Sequence, residues 1–395
     1  MSALFGTYAR SELAFVRGEG VRLFTEDGTG YLDFAAGIAV NALGYSDAHV
    51  IGALKANADK VWHTSNIFTI PEQEKLAQRL VDATFADKVF FTNSGAEALE
   101  CAIKTARHYH WARGDKDRVD IIGFSGSFHG RTTATIAAAG NPAYTEGFGP
   151  MPGYKHAKPG DLAAIEALVD DKTAAVLIEP VQGEGGVTAF SDAYLAGLRA
   201  LCDKHGALLI FDEVQCGYGR TGKFFAYEWS GVIPDIMTVA KAIGNGFPLG
   251  ACLATEAVAA SMVPGTHGST YGGNPLACAV GNAVLDRILS PGFIEQVEEM
   301  GKVLAHELRQ LMQKYPDYIT EVRGKGLIAG IKITPPAREF VARVRNRKLL
   351  TVAASDNVLR MLPPLIVTQA EIKEAVGILA DAFAELEADT VNAAQ

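Results

Sequence analysis

One lysine, Lys241, closes an apolar run just before a glycine-rich turn, in TVAKAIGNGFPLG, residues 238–250. Lysine is rarely buried without a partner; its ordinary solution is to pack the stem and send the ammonium to water. An amine kept neutral can instead bond covalently to a carbonyl. Two carboxylates, Asp212 and Glu213, end a second apolar run in ALLIFDEVQCGYG. Ligands of open α/β sheets bind at the carboxyl ends of strands, and a carboxylate placed there wants a cationic partner to offset its desolvation. A solvated strand end accounts for one of the two acids more readily than for both. A third stretch, FTNSGAEALECAIKTARHYH, residues 91–110, reads as a strand end, a glycine turn and a helix start. Ser94 and Glu97 have capping-box spacing. The same geometry offers free N–H groups and a positive dipole end, and Gly95 lets an anion approach the backbone, so a phosphate fits there.

The elements that must position these residues can be read from the apolar runs. KVFFT (88–92), VDIIGF (119–124), AAVLIEP (174–180), ALLIFDE (207–213), DIMTVAK (235–241) and PLGACLAT (248–255) are strand candidates, with helices expected near 95–112 and 192–205. Short apolar runs alternating with helices predict an α/β architecture with a mainly parallel sheet covered on both faces. VRLFTEDGTGYLDF, residues 21–34, reads as a hairpin turning at Asp27-Gly28. Two Gly/Pro-rich excursions, 140–160 and 264–275, are expected on the surface. Beyond them the pattern predicts two long helices over 275–314, a strand at 327–333, a helix near 336–348 and a last helix opened by Thr368 and Glu371 at capping-box spacing. We expect an N-terminal segment over 1–50, a large domain over 51–285 and a small domain over 286–395.

Composition excludes several function classes. The 395 residues carry a net charge of -9, and the densest basic stretch, ARVRNRK at 342–348, alternates with apolar residues as a solvated helix face does; nucleic acid is set aside. Five cysteines, an odd number with no C-x-x-C spacing, predict reduced thiols. No run reaches the length of a membrane span, and MSALFGTYARSELAFVRGEG lacks the plan of a signal peptide, so a soluble cytoplasmic chain is expected. No histidine falls in H-E-x-x-H and no Cys/His cluster exists, so no metal is expected; His129 reads as structural or ring-adjacent. GYGRTG, residues 217–222, matches G-x-G-x-x-G after a strand. No amphipathic helix opens there and no acid follows at the ribose position, so the dinucleotide match is set aside.

A phosphate site at a helix start, an aspartate at one strand end and a lysine at a later one are the three needs of pyridoxal 5′-phosphate (PLP): a phosphate cradle, a carboxylate on the pyridine nitrogen and an amine for the aldehyde. The sequence resembles the class III, fold-type I PLP-dependent aminotransferases over essentially its whole length. The resemblance is carried by LDFAAGIAVNALGY, NSGAEALE, SFHGRT, EPVQGEGG, LLIFDEVQCGYGRTG, TVAKAIGNGFPLGA, HGSTYGGNPLA and LRMLPPL, in the family's order. Within the family it looks most like the acetylornithine branch. The fold implied is a large domain with a mainly parallel seven-stranded sheet, plus a smaller α+β domain built from the C-terminus and the N-terminal segment.

The resemblance also implies roles. Lys241 matches the lysine that bonds the cofactor's aldehyde, and Asp212 the pyridine-nitrogen partner. Val214 and Phe128 match the residues that pack on the two ring faces, Gln215 the one that reaches the phenolic oxygen, and Ser94, Gly95 and Ala96 the phosphate cradle. Thr270 matches a residue that reaches the phosphate from a partner subunit, so a homodimer with shared active sites is implied. Arg131 matches the arginine that holds the substrate carboxylate, with its planar fork suited to that task, and Ser269 a second substrate contact. Glu184 and Arg360 match a switching pair, in which Glu184 masks Arg360 until 2-oxoglutarate or glutamate brings its α-carboxylate; alone, either residue reads as half of a surface ion pair. Phe128 alone reads as a core aromatic. The small residues around Gly37 fall where ornithine aminotransferases carry a tyrosine, which favours an acylated α-nitrogen. The implied reaction moves the terminal amine of N-acetylornithine to 2-oxoglutarate. N-Succinylornithine, ornithine, 4-aminobutyrate and N-succinyl-diaminopimelate are the alternative donors, and a non-catalytic scaffold on the same fold is the alternative of another class.

Overall fold

The computed structural model describes residues 3–393. Its central element is a seven-stranded sheet: β1 (Lys88–Thr92), β2 (Asp120–Phe124), β3 (Tyr154–Ala157), β4 (Thr173–Ile178), β5 (Leu208–Asp212), β6 (Ile236–Val239) and β7 (Gly250–Ala254), in the spatial order β1-β7-β6-β5-β4-β2-β3. Neighbours run parallel from β6 to β3, whereas β7 lies antiparallel to both β6 and β1. TAAVLI in β4 and LLIFD in β5 are buried at every position, because helices cover both faces. The sheet thus agrees with the α/β reading, with one strand reversed. It also contains a strand the apolar runs did not mark. YKHA, inside the first Gly/Pro-rich excursion, is the edge strand β3, paired on one side only and half exposed.

Helix α1 (Gly95–Ala112) follows β1 directly, and its buried stripe from Ala98 to Ala106 lies on the sheet. The expected hairpin forms between Arg22–Thr25 and Gly30–Asp33, and Leu349–Leu350 extends it in parallel. A four-stranded antiparallel sheet is built from Ile319–Lys325, Ile328–Ile333, Val358–Met361 and Val352–Ala354. The helices Pro275–Ile288 and Phe293–Lys314 lead into it. Helix Gln369–Ala393 opens with the reciprocal Thr368–Glu371 cap. No helix among the described residues is long and apolar enough to cross a membrane, and no group of metal-ligating side chains occurs among them.

Candidate active site at the carboxyl ends of the sheet

The carboxyl ends of β1, β2, β4, β5 and β6 converge on a cavity of about 420 Å³. β1 delivers Asn93, Ser94, Gly95 and Ala96 to its wall. Ser94 is the N-cap of α1, its Oγ accepting from Glu97 N–H. The reciprocal half of the cap is displaced by one residue: the Glu97 carboxylate accepts from Asn93 N–H at 2.7 Å and from Asn93 Nδ2 at 2.8 Å. The first-turn N–H groups, left without helical partners, face the cavity at the positive end of the dipole. A Cβ on Gly95 would lie 2.8 Å from Val214 Cγ1, and one on Gly130, at φ 128°, would lie 2.6 Å from Ala96 Cβ. Glycine at these two places lets three loops close on one anion-sized space.

β5 ends at Asp212, which is buried. Its Oδ2 lies 2.7 Å from His129 Nδ1, and its Oδ1 accepts from Val214 N–H at 3.0 Å. His129, which the sequence left as structural or ring-adjacent, is bonded to Asp212. Its Nε2 is buried with no hydrogen-bond partner among the described residues. Glu213, by contrast, turns away: its carboxylate accepts from Ala226 and Tyr227 N–H, and burial raises it to about 8. One of the two acids is therefore structural. Glu179, just past β4, lines the cavity and accepts from Phe128 N–H. Burial, then the Asp212 charge, push it well above the usual carboxylate range.

Lys241 lies two residues past β6, not at the strand's last position. It opens a 3₁₀ turn at φ 52°, a left-handed backbone that costs of order 1–3 kcal/mol in a non-glycine residue and persists only where the surroundings impose it. Burial, then the Arg360 charge, lower its ammonium to about 8 against the pull of Glu184, Asp212 and Glu179. At pH 7 about one amine in ten is then neutral, far more than for an ordinary lysine.

Phe128, Val214, Gln215 and Arg131 line the same cavity. Arg131 is exposed, stacks its guanidinium 3.8 Å from the Tyr144 ring centroid and makes no ion pair among the described residues. Arg360 is fully buried on strand Val358–Met361, bonded to Glu184 Oε1 at 2.6 Å and to Gln215 Oε1 at 2.8 Å. That burial does not fit the surface ion pair that either residue suggests when read alone. Ser269 stands one contact back, its Oγ 3.4 Å from Asn93 Nδ2, and Thr270 is exposed and outside the cavity wall. The residues missed in the sequence are Asn93 and Glu179. Glu179 ends the apolar run AAVLI as Asp212 ends ALLIF, so the same strand-end argument would have found it.

The donor set fits a flat, anionic, carbonyl-bearing group. A helix start would hold its phosphate, the Asp212–His129 pair a basic ring nitrogen, Phe128 and Val214 its faces, and the partly neutral Lys241 amine its carbonyl. Comparison with known proteins agrees with that chemistry. A profile of the family described as aminotransferase class-III matches residues 7–383. An acetylornithine aminotransferase of Agrobacterium fabrum is 58% identical over 386 residues, 98% of this chain and 97% of that protein. Among solved structures, an N-acetylornithine aminotransferase of Stenotrophomonas maltophilia K279a is 36% identical, with a TM-score of 0.85 over 97% of this chain and 98% of that one. An ornithine aminotransferase of Toxoplasma gondii ME49 is 30% identical, with a TM-score of 0.94 over 98% and 94%.

Proposed function

The chain belongs to the class III aminotransferases, and from that premise we propose that it carries the δ-amino group of N2-acetyl-L-ornithine to 2-oxoglutarate, giving N-acetylglutamate 5-semialdehyde and glutamate. The observation that carries the chemistry is Lys241, held near 8 in a cavity it shares with the Asp212–His129 pair and the start of α1. PLP, when bound, supplies an aldehyde that takes up the amine and a protonated ring that accepts the electron pair released at the substrate carbon. The protein's own work is to position and move protons. Asp212, steadied by His129 and Val214 N–H, would keep the ring nitrogen protonated. Lys241 Nζ would hold the aldehyde group and, as a partly neutral amine, would serve as the base and acid that moves the proton of the substrate's δ-carbon. Ser94, Gly95 and Ala96, at the start of α1, would hold the phosphate.

The two substrates ask for two carboxylate sites. Arg131, exposed at the cavity and without an ion pair among the described residues, suits the distant α-carboxylate of acetylornithine. Arg360 suits the α-carboxylate of 2-oxoglutarate once Glu184 gives way. The assembly we propose is a homodimer in which Thr270 reaches the partner's phosphate. Support comes from its exposure beside Tyr271, which is 61% exposed and touches the His63 ring, and from Asn66, next in sequence to the exposed Ile67 and Phe68, which donates to the Ser269 and Gly272 carbonyls. The five free thiols support a cytoplasmic setting. The likeness to an ornithine aminotransferase keeps unacylated ornithine as the second donor to test.

The test is the visible absorbance of the purified protein in separate half-reactions. N-Acetylornithine should bleach the yellow band faster than ornithine, N-succinylornithine, 4-aminobutyrate or N-succinyl-diaminopimelate, and 2-oxoglutarate should restore it. Faster bleaching by another amine would move the substrate; no yellow band after adding PLP would overturn the cofactor.

A further inference from the structure

Cys101, two turns into α1, and Cys252, in the middle of β7, come from elements packed on each other. All five free cysteines are buried, but these two open onto a second cavity of about 530 Å³ that shares no residue with the wall around Lys241. The two thiols line one cavity wall, and Thr105 Oγ1 lies 3.9 Å from Cys101 Sγ. His267 faces the same cavity from the loop after β7. Its Nδ1 lies 2.9 Å from Lys104 Nζ, and its ring 4.8 Å from that of Phe90. The ammonium can only donate, so Nδ1 accepts and Nε2 carries the proton. His267 is therefore a hydrogen-bond donor on the cavity that Cys101 lines.

That constellation separates two thiols from the other three. The Cys252 hydrogen bond, then His267, lower Cys101 to about 6 against its burial. Burial pushes Cys202 and Cys278 up to about 12, and Cys216 well above the ordinary thiol range. Cys252 is also raised, chiefly because its S–H serves Cys101. The other charged groups facing this space, Lys88 and Glu256, pair with each other at 3.1 Å. The arrangement is a thiol of lowered pKa, an imidazole donor and a second thiol around one cavity.

We propose that Cys101 and Cys252 are a hydroperoxide-reactive dithiol, with Cys101 as the attacking thiolate, His267 as its holding group and Cys252 as the resolving thiol. The Cys101 sulfur attacks one peroxide oxygen; the S–O bond forms as the O–O bond breaks, and the leaving hydroxide takes a proton and departs as water. The Cys252 sulfur then attacks the Cys101 sulfenic sulfur; the S–S bond forms, the S–O bond breaks, and a second water leaves. The two thiols give up two electrons and the peroxide accepts them. Neither step involves Lys241. The product would staple α1 to β7 about 10 Å along the helix from its phosphate-facing start.

The rate gain is modest. At pH 7 a thiol at about 6 is roughly ninety times more ionised than one at 9, but its nucleophilicity falls about twentyfold, leaving a net gain of about fourfold. The test treats the purified holoprotein with hydrogen peroxide and maps peptides without reduction. We expect a Cys101–Cys252 cross-linked peptide, a loss of two hydrogen atoms in the intact mass reversed by a dithiol reductant, and unmodified Cys202, Cys216 and Cys278. In Cys252→Ser, Cys101 should stop at the sulfenic acid and be trapped by dimedone. In His267→Gln, which leaves the Cys252 thiol in place, Cys101 oxidation should slow by less than the full fourfold at pH 7, and the midpoint of its pH profile should rise from about 6. The proposal is overturned if Cys101 reacts no faster than Cys278, if the cross-link omits Cys252, or if His267→Gln leaves rate and midpoint unchanged. Retained yellow colour and melting temperature show that each variant is folded.

Discussion

Replacing Glu184 by glutamine removes one charge from a pair whose other member has no route to water. Arg360 is 0% exposed, its Nη2 lies 2.6 Å from Glu184 Oε1, and its Nε has no partner among the described residues. The gross attraction at that distance is about 6 kcal/mol at an effective dielectric of about 20. Removing one member of a fully buried pair costs about 3–5 kcal/mol. The Glu184 side chain is 28% exposed, so water already screens part of the pair and a cost of about 2 kcal/mol is the working figure. In scanning calorimetry without ligand the variant should melt about 2 °C lower. The same free energy should reappear in binding. A substrate carboxylate no longer competes with Glu184 for Arg360, so the non-reacting dicarboxylate glutarate should bind up to about 30-fold tighter in titration calorimetry, while bleaching by N-acetylornithine slows. Glu184 also raises Lys241, so the variant's lysine should fall further below its present value of about 8. An unchanged melting temperature together with unchanged glutarate affinity would refute the view that Arg360 is a masked carboxylate site.

Three further outcomes follow from the same geometry. Lys241→Ala should fold, lose turnover and abolish the rise in stability that wild-type apoprotein shows between about pH 8 and 10.5. In that window the folded lysine holds fewer protons than the unfolded one, so stability increases with pH, as thermal melts of both proteins would check. Gly95→Ala places a Cβ 2.8 Å from Val214 Cγ1, an overpacking of about 1–3 kcal/mol, and should weaken PLP binding at least about tenfold by fluorescence titration. Glu213 has its carboxyl raised to about 8 in the fold, so wild-type stability should decline from about pH 4.5 to 8 as the folded state alone still binds that proton; Glu213→Gln should flatten this slope in pH-dependent melts.

Much of the scaffold was legible because a buried strand between helices must be a short apolar run, and β4 and β5 are buried at every residue. Strand β3 was not, because YKHA pairs on one side only and has too few apolar residues to stand out in a Gly/Pro-rich stretch. The reversal of β7 was hidden as well, since an apolar run carries no direction. At the site, the residue types of Lys241, Asp212 and Ser94 announced themselves at element ends. The His129–Asp212 bond did not: its partners are 83 positions apart and meet only when β2 and β5 enter one sheet. The burial of Arg360 was not legible from its residue type alone. Its type favours the surface, and only the tertiary placement of strand Val358–Met361 buries it.

The central claim is that one lysine, placed two residues beyond β6 on a left-handed backbone, carries the cofactor. Reduction of the PLP-loaded protein with borohydride, followed by peptide mapping, tests it directly. The account predicts a stable pyridoxyl label on Lys241 alone, absent from Lys241→Ala; a label on another lysine, or none, would contradict it.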